Sequence, residues 1–138
     1  MLVIDASVAT LWFLPQQRSP EARAVLGLPR ALIAPALLQL EVGSALLRAV
    51  RRREMQPEIA RESVLDVLPE AVELMEVPGL LPQAYALASD HGGSLADAMY
   101  IVLARNSGAL LITEDAQMHA VAFRARVPAR LLGDGPIP

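Results

Sequence analysis

Four acidic residues stand in apolar sequence: Asp5, Glu41, Asp97 and Asp115. Asp5 and Asp115 follow predicted strands, Asp97 lies in the first turn of a predicted helix, and Glu41 lies two turns into another. A carboxylate in such surroundings is costly to desolvate unless a cation or a hydrogen-bond donor compensates its charge. Several carboxylates in one cleft also repel one another, and a divalent metal removes that repulsion. Hard oxygen ligands select Mg²⁺ or Mn²⁺. The four acids together therefore suit a metal site for phosphodiester hydrolysis.

Each acid also has a simpler structural interpretation. Asp5 and Asp115 precede helices, where an aspartate often caps the first turn. Ser94 and Asp97 have the spacing of a capping box. Glu41 has the alternative of a salt bridge with an arginine on its own helix. Four acids at matching topological positions favour one shared site, but spacing alone leaves both interpretations open.

The elements that must position these acids alternate between short apolar strands and helices. We predict strands at residues 2–4, 31–34, 71–77, 110–112 and 130–132. We predict helices at residues 9–14, 19–28, 35–50, 57–68, 80–89, 94–106 and 115–124, with Pro35 starting the long third helix. This alternation predicts an α/β fold with a parallel sheet covered on both faces. Asp5 and Asp115 then follow the first and fourth strands, at the sheet edge where ligands bind.

Composition narrows the classes of protein. The 138 residues suit one domain, and the net charge of −3 excludes a generally basic nucleic-acid-binding surface but allows a local basic patch. All twelve basic residues are arginine, so a P-loop with its phosphate-binding lysine is excluded. No cysteine is present, which excludes thiol catalysis and gives no indication of an oxidising compartment. Without a signal peptide or a membrane-spanning run, we expect a cytoplasmic protein.

Four segments resemble, in order, the motifs of VapC-like PIN domains. Residues 2–15 (LVIDASVATLWFLP) resemble the first motif, and residues 40–46 (LEVGSAL) are similar to the second acidic motif. Residues 86–104, which contain SLADAMYIVLA, resemble the third, and residues 108–115 (GALLITED) resemble the fourth. The ordered set covers nearly the whole chain, so it is far more specific than any one motif.

This resemblance implies a three-layer α/β/α sandwich with a central parallel sheet, formed by a single domain over residues 1–138. It also implies a Mg²⁺- or Mn²⁺-dependent endoribonuclease, the toxin of a type II toxin–antitoxin pair. Such a protein forms a homodimer and is inhibited by a cognate VapB-like antitoxin. For the dimer contact we expect residues 19–28 and 35–68, because the apolar content exceeds what one small core can hide.

The family's catalytic acids fall on Asp5, Glu41, Asp97 and Asp115, of which we expect Asp5, Asp97 and Asp115 to hold the metal. Four hydroxyl residues lie beside these acids and are expected to support them: Ser7, Ser44, Ser94 and Thr113. The chain departs from the family pattern at Leu11, Ser44 and Ala96, where a basic residue, an asparagine and an aromatic residue are common. Glu114 is adjacent to Asp115, and we expect its side chain to point away from the site.

Arg48 and Arg52 continue the helical stripe of Glu41 and are candidates for binding RNA phosphates. Their alternative role is to complement the negative end of the helix dipole. His91 is expected to end a helix and His119 to lie at the surface. Four aromatic residues are expected in the core or an interface: Trp12, Phe13, Tyr85 and Tyr100.

Two other classes of function remain compatible with the sequence. One is a catalytically idle PIN-like subunit that binds a partner and helps it to repress transcription. The other is a different metal-dependent phosphoesterase, which the acids alone permit.

Overall fold

Five strands form one parallel sheet in the computed structural model, which describes all residues from Met1 to Pro138. The strands are β1 (Leu2–Ile4), β2 (Leu32–Pro35), β3 (Glu73–Met75), β4 (Leu110–Thr113) and β5 (Ala129–Leu131). Their order in the sheet is β3-β2-β1-β4-β5, and every pairing is parallel. Leu2, Val3 and Ile4 are all fully buried, as expected of a central strand with helices on both faces.

Eight helices connect these strands. They are α1 (Ala6–Ala9), α2 (Ser19–Leu26), α3 (Leu37–Arg51), α4 (Pro57–Glu62), α5 (Leu68–Ala71), α6 (Leu81–His91), α7 (Leu95–Ser107) and α8 (Ala116–Arg124). The chain moves outward from β1 to β2 and β3, then returns to β4 and β5 on the other side. Right-handed crossovers therefore place α1 to α5 on one face and α6 to α8 on the other. The predicted three-layer α/β/α fold is confirmed.

The reversal of direction between β1 and β4 creates a topological switch point, where ligands bind in open parallel sheets. Leu2, Val3 and Ile4 of β1 pair with Leu110, Leu111 and Ile112 of β4. Asp5 directly follows β1, and Thr113 ends β4. The predicted acids at the ends of these two strands therefore flank the switch point.

Helix α7 is the most deeply buried helix of the fold. All seven residues from Ala98 to Ala104 are buried, and α7 contacts β1, β2 and β4. Ser94 caps its first turn, and Gly108 ends the helix in the left-handed conformation with φ 66°. Asp97 and Tyr100, on the first turns of this helix, therefore project from a rigid support. No helix has the length and apolar character needed to cross a membrane.

Four predicted boundaries were wrong, among them that of the third strand, which was predicted at residues 71–77 and spans only Glu73–Met75. Pro35 ends β2, where it pairs with Met75, and α3 begins at Leu37. The first helix begins at Ala6 and continues as a 3₁₀ turn from Thr10 to Trp12. The helix after Pro57 extends to Ala71 because a π-helical turn at Ser63–Val67 continues it. In that turn the Val64 carbonyl accepts a hydrogen bond from Gln39 Nε2 at 2.9 Å, so a distant side chain supports the irregular backbone.

Candidate active site

Asp5 is buried at the carboxyl end of β1, with only 2% of its surface exposed. Its Oδ1 accepts hydrogen bonds from Ser7 Oγ at 2.7 Å and from the Val8 backbone N–H at 3.1 Å. Its Oδ2 accepts a hydrogen bond from Thr113 Oγ1 at 2.5 Å. Burial raises the pKa of Asp5 to about 6; the three hydrogen bonds act against that rise, and the charge of Asp115 adds to it.

Asp115 lies across the switch point from Asp5 and caps α8. Its Oδ1 accepts hydrogen bonds from the backbone N–H groups of Gln117 at 2.8 Å and Met118 at 3.2 Å. Its own N–H donates to Thr113 Oγ1 at 2.9 Å. Thr113 thus contacts both aspartates and joins the ends of β1 and β4.

Glu41 and Asp97 approach the same region from α3 and α7. Glu41 is half-buried, and its Oε1 accepts a hydrogen bond from the buried Tyr100 hydroxyl at 2.5 Å. Burial raises the pKa of Glu41; the Tyr100 hydrogen bond lowers it, and the charge of Asp97 raises it. Burial also raises the pKa of Asp97. The hydrogen bond with the Ser94 hydroxyl lowers this pKa, and the charge of Asp115 raises it further.

The four acids form one electrostatic cluster. The charge of Asp115 acts on both Asp5 and Asp97, and the charge of Asp97 acts on Glu41. The pKa of Tyr100 is raised by burial first, then by its hydrogen bond to Glu41 and by the charges of Glu41, Asp5 and Asp97. The structure therefore brings all four predicted acids to one edge of the sheet. No arginine pairs with Glu41, so the alternative of a salt bridge on its own helix is wrong.

Tyr100 is the site residue that sequence reasoning missed. The prediction of a core or interface position is correct for its ring, but its hydroxyl reaches Glu41. The sequence contained one indication of this contact: Tyr100 lies three residues after Asp97 and therefore faces the same side of α7. A buried phenol also needs a hydrogen-bond partner, and an acidic site supplies one.

The other predicted site residues differ in their contacts. Ser7 Oγ accepts a hydrogen bond from the Glu114 N–H at 2.8 Å and lies 3.3 Å from Thr113 Oγ1. Ser94 Oγ accepts from the Asp97 N–H at 3.0 Å, which is half of the predicted capping box. Ser44 is half-buried on α3, and its hydroxyl makes no hydrogen bond within the protein.

Arg48 and Arg52 are exposed and form no ion pair. Glu114 faces Arg18, with Glu114 Oε2 3.8 Å from Arg18 Nε. His91 ends α6, and its carbonyl accepts two hydrogen bonds from Arg124.

The donor set is suited to a hard divalent cation. All of its ligand atoms are oxygens, and none of the four acids is neutralised by an arginine. No three of these side chains are arranged closely enough to surround a metal ion without adjustment. Both oxygens of Asp5 accept hydrogen bonds, whereas Asp115 uses only Oδ1. The chemistry of the residues therefore fits a metal, with some side-chain movement needed to enclose it.

The fold and the site define an α/β/α protein with a carboxylate cluster at the switch point of its parallel sheet. Residues 2–124 match the PIN domain, and the chain belongs to the PIN-domain family. It is 32% identical over 120 residues to ribonuclease VapC3 of Pyrobaculum aerophilum, covering 85% of this chain and 91% of that protein.

Two solved structures share the fold. Mycobacterium tuberculosis VapC20, described as a toxin that cleaves the sarcin–ricin loop, aligns with a TM-score of 0.68 and 17% identity. That alignment covers 87% of this chain and 94% of VapC20. FitAB bound to a DNA fragment aligns with a TM-score of 0.67 and 16% identity, covering 99% of each chain.

Proposed function

We propose that this chain is a metal-dependent endoribonuclease, the toxin component of a VapBC-type toxin–antitoxin pair, acting as one nuclease domain over residues 1–138. The observation that carries the proposal is the convergence of Asp5, Glu41, Asp97 and Asp115 at the switch point of a PIN fold. The ribonuclease VapC3, which matches most of the chain, supports RNA as the substrate.

In this proposal Asp5, Asp97 and Asp115 hold Mg²⁺ or Mn²⁺, and Glu41 is the fourth catalytic acid. When bound, the cation supplies activation of a water molecule and neutralisation of charge on the phosphate. Asp5 must be ionised to act as a ligand, although burial favours its protonated form. Below about pH 6, where Asp5 is largely protonated, binding of the cation is therefore expected to release that proton.

The neighbouring side chains keep these acids in place. Ser7 and Thr113 donate one hydrogen bond to each oxygen of Asp5 and so fix the plane of its carboxylate. Tyr100 donates to Glu41 and holds it toward α7. Ser94 fixes the start of α7, from which Asp97 projects. Ser44 lies one turn along α3 from Glu41; we propose it as a supporting hydroxyl of the metal-bound enzyme, since it hydrogen-bonds none of the four acids in this structure.

RNA reaches the acids along the exposed face of α3. Arg48 and Arg52 follow Glu41 by seven and eleven residues, which is about 10 and 16 Å along a helix. Arg51 and Arg53 are also exposed, so the end of α3 carries a cationic patch free of ion pairs. This patch supports phosphate binding in a chain whose net charge is negative.

We also propose an antitoxin partner and a homodimer. The FitAB complex bound to DNA, which shares this fold, supports a partner protein. A cytoplasmic location fits an enzyme that acts on cellular RNA and contains no cysteine.

Cleavage of total cellular RNA, with and without EDTA, tests the proposed reaction. Wild type is expected to cleave RNA only when Mg²⁺ or Mn²⁺ is present. The Asp5→Asn variant is expected to remain folded but to lose cleavage, because it lacks one charged metal ligand. Asp66→Asn is the matched control, since Asp66 is exposed and lies outside the cluster. Cleavage that survives EDTA, or equal cleavage by wild type and Asp5→Asn, would refute the mechanism. A folded wild type that cleaves no RNA would favour the idle binding subunit.

A further inference from the structure

Arg18 is the only one of the twelve arginines that forms an ion pair. It precedes α2, and its Nη1 lies 3.5 Å from Glu21 Oε1. Its Nε lies 3.8 Å from Glu114 Oε2. Its guanidinium also packs against Gly133, where an added Cβ would come within 2.8 Å of Nη2. Arg18 therefore links the start of α2 to the turn between β4 and α8 and to the residues after β5.

The main chain of Glu114 is part of the acidic site, although its side chain lies outside that site. It lies between Thr113 and Asp115, and its N–H donates to Ser7 Oγ at 2.8 Å. Ser7 in turn donates to Asp5 Oδ1. The Glu114 backbone is thus linked through Ser7 to Asp5 on the other side of the switch point.

The side chain of Glu114 depends on Arg18 for its charge compensation. Glu114 Oε2 is inaccessible to solvent and accepts no hydrogen bond. The distance of 3.8 Å to Arg18 Nε is too long for a hydrogen bond, so the attraction is Coulombic. Both side chains are about one third exposed or more, and such pairs add little to stability. The Arg18–Glu114 pair therefore affects the position of the Glu114 charge more than the stability of the fold.

We propose that Arg18 is a positioning residue that holds Glu114 on the α2 side of the β4–α8 turn and keeps a fifth carboxylate out of the acidic cluster. The inference rests on the proposed metal-dependent nuclease function. Without Arg18, Glu114 is free to turn toward Asp115 and the cation. A carboxylate there would compete for the metal's coordination positions and repel the phosphate of the substrate.

A cycle of four proteins tests this role: wild type, Arg18→Ala, Glu114→Gln and the double variant. We expect Arg18→Ala to lower kcat for RNA cleavage about tenfold, equivalent to roughly 1.4 kcal/mol of barrier height. Glu114→Gln should remain close to wild type, since the misplaced charge is then absent. For the same reason the double variant should recover most of the lost kcat, and Arg18→Lys should retain part of it.

Calorimetric titration with Mn²⁺ gives a readout apart from activity. Arg18→Ala should change Mn²⁺ affinity, and the double variant should restore the wild-type value. A merely structural ion pair predicts the opposite pattern, in which Glu114→Gln is as impaired as Arg18→Ala and the double variant shows no recovery. That result, or identical Mn²⁺ binding and cleavage in all four proteins, would overturn the role of Arg18. A wild type that binds Mn²⁺ but cleaves no RNA would refute the proposed nuclease alone, because the Mn²⁺ titrations would still decide the role of Arg18.

Discussion

Asp5 and Asp115 show that capping a helix and belonging to an acidic site are compatible roles for one carboxylate. Asp5 accepts a hydrogen bond from the Val8 N–H, and Asp115 accepts two from the first turn of α8. The two interpretations of these residues are therefore not alternatives. Each cap is placed at the end of a strand, so the same backbone geometry that starts the helix also fixes the acid at the sheet edge.

The pKa of Asp5 predicts how the stability of the metal-free protein depends on pH. Its ordinary value of 3.8 applies to the unfolded chain, and its value in the folded protein is about 6. Between these values the folded protein binds more protons, so the free energy of unfolding falls as pH rises through this window. A shift of this size corresponds to on the order of 3 kcal/mol. At pH values above this window, the ionised Asp5 carboxylate stays buried, and the free energy of unfolding remains lower by that amount.

Urea unfolding of wild type and Asp5→Asn in EDTA measures this contribution. Asp5→Asn should be the more stable protein above about pH 7, and the difference should shrink as pH falls toward about 4. Adding Mn²⁺ should stabilise wild type at high pH, because the metal binds the ionised form. A wild type that gains stability over Asp5→Asn as pH rises, without metal, would show that the pKa of Asp5 is not raised.

Arg48 offers a residue-scale test of the path taken by RNA. Arg48→Ala in the Asp5→Asn background should weaken binding of single-stranded RNA and reduce the slope of log K against log salt by about 1. Arg23→Ala is the control, because Arg23 is exposed on α2 and does not belong to the patch at the end of α3. Equal weakening by both variants would indicate a general charge effect and no local track.

At the scale of the elements, helices α3 and α8 are each followed by an arginine in a backbone conformation that glycine normally adopts. Arg53 and Arg126 follow these helices in the left-handed conformation, with φ values of 60° and 58°. After α8, the Val127 N–H donates to the Ala122 carbonyl at 2.9 Å, the bond of a Schellman motif. Glycine normally occupies this position, since a Cβ there is strained.

We expect Arg126→Gly to raise the free energy of unfolding by roughly 0.5–1 kcal/mol, because the strain at this position is removed. Arg126→Ala should bring no such gain, since alanine retains the Cβ. Gly108→Ala is the reciprocal control: Gly108 has φ 66°, and an added Cβ meets nothing within 4 Å, so its cost is purely conformational. Denaturant unfolding checks all three, and a loss of stability in Arg126→Gly would contradict the strain.

On the scale of the whole molecule, apolar side chains remain exposed on the helices predicted to form the dimer. Leu40 and Leu47 of α3 are 73% and 53% exposed, and Ile59 and Leu65 are about half exposed. A groove of about 380 Å³ runs between α3 and the helical segment after Pro57, and its lining is mainly apolar. Such a patch is typical of an interaction surface.

We expect sedimentation to show a homodimer that Leu47→Glu dissociates, because the substitution places a charge in the patch. Phe123→Ser is the matched control, since Phe123 is 79% exposed but lies on α8, outside the predicted interface. A wild type that stays monomeric at every concentration would contradict the dimer. Dissociation by Phe123→Ser alone would move the interface to α8.

Local patterns in the sequence were enough to predict the order of strands and helices and the four acids that lie at the sheet edge. These features depend on local patterns: apolar runs, capping residues and the rule that parallel strands end at one edge. Pro35 was misplaced because a proline suits both a helix start and a position in a strand that requires no N–H donor.

The side chains that support or restrain the acids come from distant parts of the chain and could not be predicted from local patterns. Tyr100 reaches Glu41 across 59 positions of sequence, and Thr113 reaches Asp5 across 108. Arg18 pairs with Glu114 although eleven other arginines are available in the chain. Periodicity predicts which face of an element is buried, but not which residue of another element lies opposite. That choice depends on how helices cross the sheet, and it is fixed by packing of the whole core.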